Sequence, residues 1–178
     1  YGSAKGLDCV VYFTIGTGIG GGIYVNGRML HGMLHPEAGH LLLPLSDKDP
    51  NGSVCPFHPN CFEGLCSGTS IEARWGAKAK DMADRDEVWE LETDYIAEAL
   101  TSIIMILSPQ RIILGGGVMH QQQVFPLVRK KVLKLVNGYI QTKELADIDN
   151  YIVPASLHDD QGIMGALRLG ELAYESGK

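Results

Sequence analysis

The stretch Asp8–Gly32, DCVVYFTIGTGIGGGIYVNGRMLHG, decides the fold. It starts with a β-branched and aromatic run, Val10 to Ile15, and passes into glycines. The apolar pattern resumes at Ile23 and then meets Asn26-Gly27. β-Branched and aromatic side chains suit a pleated surface, and Asn-Gly supplies the positive φ that a two-residue hairpin turn needs. The stretch therefore reads as strand, glycine loop, strand, turn, strand. Gly16, Gly18 and Gly21 match the spacing of a dinucleotide loop, but that site needs a helix opening at the loop so that its N-terminus meets the pyrophosphate. A strand follows here instead, and no Gly-Lys-Ser or Gly-Lys-Thr makes a Walker loop. What survives is a β-hairpin whose glycine turn offers backbone N–H groups, with the Thr17 hydroxyl, to an anion.

Downstream the pattern becomes helical. SGTSIEARWGAKAKDM, from Ser67 to Met82, has polar caps ahead of a mixed apolar and basic stretch. In residues 86–109 the side chains of Val88, Leu91, Tyr95, Ile96, Ala99, Leu100, Ile103, Ile104 and Leu107 recur three or four apart, and Ser108-Pro109 ends the helix. RIILGGG is a short buried strand entering glycines, and residues 122–138 form a helix closed by Asn137-Gly138. NYIVPA is another strand, and GIMGALRLGELAYE a final helix. Antiparallel strands followed by alternating helices and strands predict an α/β domain. The second glycine loop, GGGVM, ends a buried strand where open α/β sheets bind ligands. Two such loops favour nucleotide binding.

The 178 residues suit one domain with a substantial core, and 45% apolar with 20% charged residues is a globular composition. A net charge of -6 disfavours a nucleic-acid surface, which needs clustered Lys and Arg. No apolar run approaches the roughly 20 residues that span a bilayer, and no basic segment precedes an apolar one at the start, so no membrane partner and a cytoplasmic location are expected.

Residues 31–66 carry Pro, Gly, His and Cys with little periodicity, and an irregular segment of that length needs a staple. CPFHPNC, Cys55 to Cys61, supplies two thiols and the His58 imidazole, a donor set suited to zinc, which takes about four ligands in a closed structural site. The fourth ligand is expected upstream among His31, His35 and His40, with His40 preferred; Cys66 is either a replacement ligand or, like Cys9, a buried small hydrophobe. A filled set leaves no open coordination position, so the metal organises the loop rather than activating water. Glu37 and Glu63 are tethered near it and could hydrogen-bond a polyol.

IGTGIGGGIYVNGRMLHG, HPEAGH, CPFHPNCFEG, SGTSIEARWG and ILGGGVM, in this order, resemble the C-terminal part of the ROK-family sugar kinases, most closely their zinc-containing fructokinase branch. The resemblance implies an actin-like, ribonuclease-H-like fold in which ATP and sugar meet between two lobes, residues 1–178 being the C-terminal lobe. It implies that Thr17 and Gly18 face the ATP phosphates, that Gly116, Gly117, Val118, Met119, His120 and Gln121 line the nucleotide pocket, and that Thr69 lies near it. Glu37, His40 and Glu63 fall on positions that contact sugar hydroxyls, and the zinc set falls on His40, Cys55, His58 and Cys61. Most of the family carries a Cys-x-Cys-Gly version; the Cys-x2-His form marks the fructokinase branch.

One departure is large. The family's N-terminal lobe, with its phosphate loop and catalytic aspartate, has no counterpart in these residues. Phosphoryl transfer needs a base on the sugar hydroxyl together with Mg²⁺ and donors for the phosphates. The expectation is therefore an ATP- and Mg²⁺-dependent hexose kinase, fructose first, as a homodimer, with no catalytic residue in this chain and no turnover by it alone. The rivals are a sugar-responsive repressor of the same family, and a zinc-stapled binding module.

Overall fold

The computed structural model describes residues 2–177. Its centre is a five-stranded sheet. Strand β1 (Cys9–Ile15) pairs antiparallel with β2 (Ile19–Val25), which pairs with the short β3 (Arg28–Met29). Asn26 (φ 51°) and Gly27 (φ 82°) make the turn between β2 and β3, as the Asn-Gly pair predicts. Strands β4 (Arg111–Gly115) and β5 (Ile152–Pro154) then add in parallel on the other side of β1, giving the order β3-β2-β1-β4-β5. Strand β4 is buried from Ile112 to Gly115, which explains its unbroken apolar run. Pro154 ends the edge strand, where a missing N–H costs little.

One face of the sheet carries the core. Val11, Phe13, Ile15, Ile112 and Leu114 are fully buried there, in one cluster with residues of α3 (Asp86–Leu107) and α4 (Val124–Val136). Asp86 and Glu87 lie in the first turn of α3, where negative charge suits the helix dipole. Ser108 closes α3 and Asn137 closes α4, both in the left-handed conformation. The first is followed by proline and the second by glycine, so both predicted stops stand. The last helix, α7 (Gln161–Ser176), leaves Ile163, Leu167 and Leu169 about 60% exposed. Among the described residues no helix is long and apolar enough to cross a membrane.

Four local expectations are corrected. The helix expected over residues 67–82 is broken: α2 (Gly68–Trp75) ends at Gly76, which takes φ 76°, and only a 3-10 turn, Ala79–Asp81, follows. The segment 31–66 is not irregular to its end, because Phe62–Cys66 forms a helical turn, α1, capped by the Cys61 sulfur accepting from Gly64 N–H. Cys9 is only half-buried, whereas Cys66 is fully buried. Finally, the strand expected over NYIVPA is confined to Ile152–Pro154, because Asn150 and Tyr151 end a short helix, α6 (Ile148–Tyr151), that follows α5 (Lys143–Ala146).

Candidate functional site

His40, Cys55, His58 and Cys61 come together, with one ligand atom of each within 4.8 Å of all the others. The fold brings them from three places. A 3-10 turn, Ala38–His40, carries the first. The loop before α1 carries Cys55 and His58, and Cys61 is the N-cap of α1. Cys55 Sγ lies 3.6 Å from His58 Nδ1 and 4.0 Å from His40 Nδ1. A tetrahedral ion with metal–sulfur and metal–nitrogen bonds of about 2.3 and 2.1 Å has a sulfur–nitrogen edge of about 3.6 Å, so the donor set fits zinc. His31, His35 and Cys66 stand outside it; Cys66 donates instead to the Glu92 carbonyl. The backbone N–H groups of Phe57 and His58 hold the Cys55 thiol below its ordinary pKa, while burial raises that of Cys61.

The rest of the segment is held without metal. Leu43 N–H donates to the Asn60 carbonyl and Phe62 N–H to that of Leu41. Gly64 lets residues 53–55 lie directly on α1: a Cβ there would collide with the Ser53 hydroxyl and approach Cys55 Cβ to 2.8 Å. A second staple was not foreseen from the sequence. Arg74 of α2, its side chain 1% exposed, donates to Asp49 Oδ1 at 2.9 Å, to Glu92 Oε1 at 2.6 Å, and to the carbonyls of Leu65 and Gly52. Asp49 also accepts from the Tyr95 hydroxyl and from the N–H groups of Asn51 and Gly52. Glu92 is fully buried and one of its oxygens, Oε2, has no partner among the described residues. Burial, only partly offset by Arg74, pushes its carboxyl up to about 7.

Next to the metal set lie the glycine turns. Gly116 (φ 91°) packs so closely on Ile15 that a Cβ would stand 2.5 Å from its carbonyl oxygen. A Cβ on Gly16 would stand 3.9 Å from Gly117 N, so the two glycine loops adjoin. The start of α2 joins them: Gly68 N–H donates to Gly16 O at 2.6 Å, and the Thr69 hydroxyl to Thr17 O at 2.8 Å. Thr17 and Thr69 are exposed. Of the residues expected along the second loop, Val118 and Met119 are 3% exposed and belong to the core, so they offer backbone rather than side chains. His120 lies 3.3 Å from Asp159, and Gln121 accepts from Gln123.

Glu63 stands between the two regions. Its Oε2 accepts from Ile19 N–H at 2.8 Å, just past the glycine turn, and its Oε1 lies 3.8 Å from His40 Nε2. Glu37 precedes the 3-10 turn, with its side chain exposed and its carbonyl accepting from His40 N–H. The arrangement sets a closed soft-metal cluster, the Glu63 carboxylate and a glycine cradle side by side, with Glu37 at the start of the turn that carries His40.

Known proteins are similar to this chain in sequence and in fold. A candidate fructokinase of Bacillus subtilis (strain 168) is 51% identical over 99% of the chain, and the fructokinase of Pediococcus pentosaceus 41% identical over 98%. The chain spans 59% and 60% of the length of these two relatives. The crystal structure of the ROK hexokinase from Thermus thermophilus superposes with a TM-score of 0.76 at 24% identity, over 93% of this chain and 57% of that one. The sheet order and these neighbours agree with the actin-like ATPase fold. The ROK family model matches residues 1–171, and with the glycine hairpin, the second glycine loop and the His/Cys cluster all in place, the chain belongs to the ROK family.

Proposed function

We propose that the chain is the C-terminal lobe of a sugar kinase that transfers the γ-phosphoryl group of ATP to a hexose, D-fructose first, in the full-length protein. The supporting observation is the adjacency of a glycine cradle at Gly16–Gly18 and Gly116–Gly117 to the Glu63–His40 pair, since phosphate and sugar hydroxyl must meet in one place. Relatives at 41–51% identity that carry the fructokinase name support the sugar.

In this reading the backbone of residues 16–18, with the Thr17 hydroxyl, holds the nucleotide phosphates, Thr69 lies beside them and holds the turn through its bond to Thr17 O, and the backbone of residues 116–121 lines the nucleotide. Mg²⁺ travels with ATP. Glu37, His40 and Glu63 accept from and donate to sugar hydroxyls, fixing the hydroxyl that reacts. Phosphoryl transfer depends chiefly on such positioning and on charge stabilisation. The base that takes the hydroxyl proton is assigned to the upstream lobe, so these residues bind and orient but do not complete the reaction. Zinc, bound by His40, Cys55, His58 and Cys61, supplies folding free energy to segment 31–66.

The test is ADP release by the full-length protein with ATP, Mg²⁺ and a panel of hexoses, beside the 178-residue chain alone. Turnover that favours fructose in the first and is absent from the second is expected, and light scattering is expected to give a dimer. Zinc-loaded full-length protein that phosphorylates no hexose transfers the reading to a sugar-responsive repressor.

A further inference from the structure

We infer that Glu63 is a positioning residue for the nucleotide turn as well as a ligand for sugar: its carboxylate clamps the Gly16–Gly18 turn to helix α1 and so to the metal-organised segment. Its role in the reaction rests on the kinase reading; the clamp itself does not. Among the described residues three hydrogen bonds fix this turn from outside the hairpin. Gly68 and Thr69 of α2 hold the carbonyls of Gly16 and Thr17. Glu63 Oε2 holds the opposite flank, accepting the Ile19 N–H at 2.8 Å, and is the one carboxylate among the three. A Cβ on Gly18 would stand 2.6 Å from the same oxygen, so the glycine there makes room for the carboxylate. Helix α1 fixes Glu63 in turn, because Cys61, the residue two before it, is both N-cap and metal-set member. With Oε2 committed to Ile19, Oε1 on the His40 side is the oxygen left for a sugar hydroxyl. One side chain thus touches both halves of the site before any ligand arrives.

Exchange and ADP affinity are measured on zinc-loaded full-length protein without sugar, and the hexose KM is read separately from ADP release. Hydrogen exchange is followed in peptides covering residues 16–25, and ADP affinity is measured by calorimetry. Glu63→Ala is expected to speed exchange around Ile19 about tenfold or more, as loss of the acceptor for its N–H requires, and to weaken ADP binding by a similar factor. Glu63→Gln, whose amide oxygen accepts the same bond, is expected to keep exchange and ADP affinity within about threefold of wild type while raising the hexose KM. Gly18→Ala, which drives a methyl group into the carboxylate, is expected to reproduce the fast exchange and to add nothing in the Glu63→Ala background. A Glu63→Ala protein with wild-type exchange and ADP affinity and only a raised hexose KM overturns the clamp. Should that variant not fold, the Gly18→Ala and Glu63→Gln pair decides it: wild-type exchange in Gly18→Ala overturns the clamp equally. If full-length protein binds no nucleotide, the kinase reading falls, and the exchange pattern still settles what holds the turn.

Discussion

Replacing Arg74 by methionine isolates the staple that contains no metal. The substitution keeps an apolar stem and removes a guanidinium whose hydrogen bonds reach Asp49, Glu92, Leu65 O and Gly52 O. Both carboxylate partners have side chains 0% exposed, so two acids would be left in a dry site without their cation. Breaking a buried pair in this way costs about 3–5 kcal/mol, much of it the penalty of the abandoned charges. At roughly 2.1 cal/mol/K per residue, a chain of 178 residues has an unfolding entropy of about 0.4 kcal/mol/K, so a loss near 4 kcal/mol lowers Tm by about 10 °C. Thermal unfolding of zinc-saturated protein at pH 7.5 reads this shift. Arg85→Met is the control, since the Arg85–Glu87 pair is 41% and 57% exposed and its removal should cost under about 1 kcal/mol. A drop below about 3 °C for Arg74→Met, or one equal to the control, refutes the view that this network holds residues 46–55 in place.

Glu92 gives the fold a pH dependence of predictable sign. Its folded pKa, raised by burial to about 7 from 4.5, means that the native state binds this proton more tightly than the unfolded chain does. The contribution is complete below about pH 4.5 and is lost as pH rises through 7, about 3 kcal/mol in all. Burial opposes the ionisation of Asp49, but hydrogen bonds from Arg74, Asn51 and Gly52 outweigh it and keep its pKa below the ordinary value, so it titrates beneath that window. Glu92→Gln should flatten the decline between pH 5 and 8 in denaturant melts, and an unchanged slope would count against the assignment. Cys61→Ala should lose the zinc equivalent and speed exchange across residues 31–66, whereas Cys66→Ala should keep the metal; elemental analysis separates them, and equal zinc in both would remove the assigned set. Gly64→Ala should cost about 1–3 kcal/mol and weaken zinc binding, because its methyl group must push Ser53 and Cys55 away from α1; zinc affinity equal to wild type would contradict that contact.

Much of this architecture is written in local patterns. Asn26-Gly27 sets the β2–β3 turn, the three-to-four spacing from Val88 to Leu107 sets α3, and Ser108-Pro109 and Asn137-Gly138 stop two helices where expected. Three members of the His/Cys cluster were legible, since CPFHPNC holds them in seven residues, but spacing left the fourth open among His31, His35 and His40, and only the folded chain brings His40 to the other three. The Arg74–Asp49–Glu92 network was not, because its members are 25 and 18 residues apart and each alone looks like an ordinary surface charge. Val118 and Met119 show another limit: a motif places them on the loop, but only packing decides that their side chains turn inward. The hydrogen bond from Ile19 to Glu63 spans 44 residues and uses a backbone donor, which no side-chain pattern advertises.

The sheet order also bears on how the chain reaches its native state. Strand β1 is central, yet only one of its edges can be sealed by its neighbour in sequence; Val10 finds its parallel partner Arg111 about 100 residues later. At a synthesis rate of roughly 5–20 residues per second, the other edge stays open for about 5–20 s on the ribosome. The unpaired N–H and C=O groups along that edge of β1 are a template for another strand until β4 arrives. Completing the sheet thus requires a contact between residues about 100 apart, a non-local pairing of the kind that slows folding.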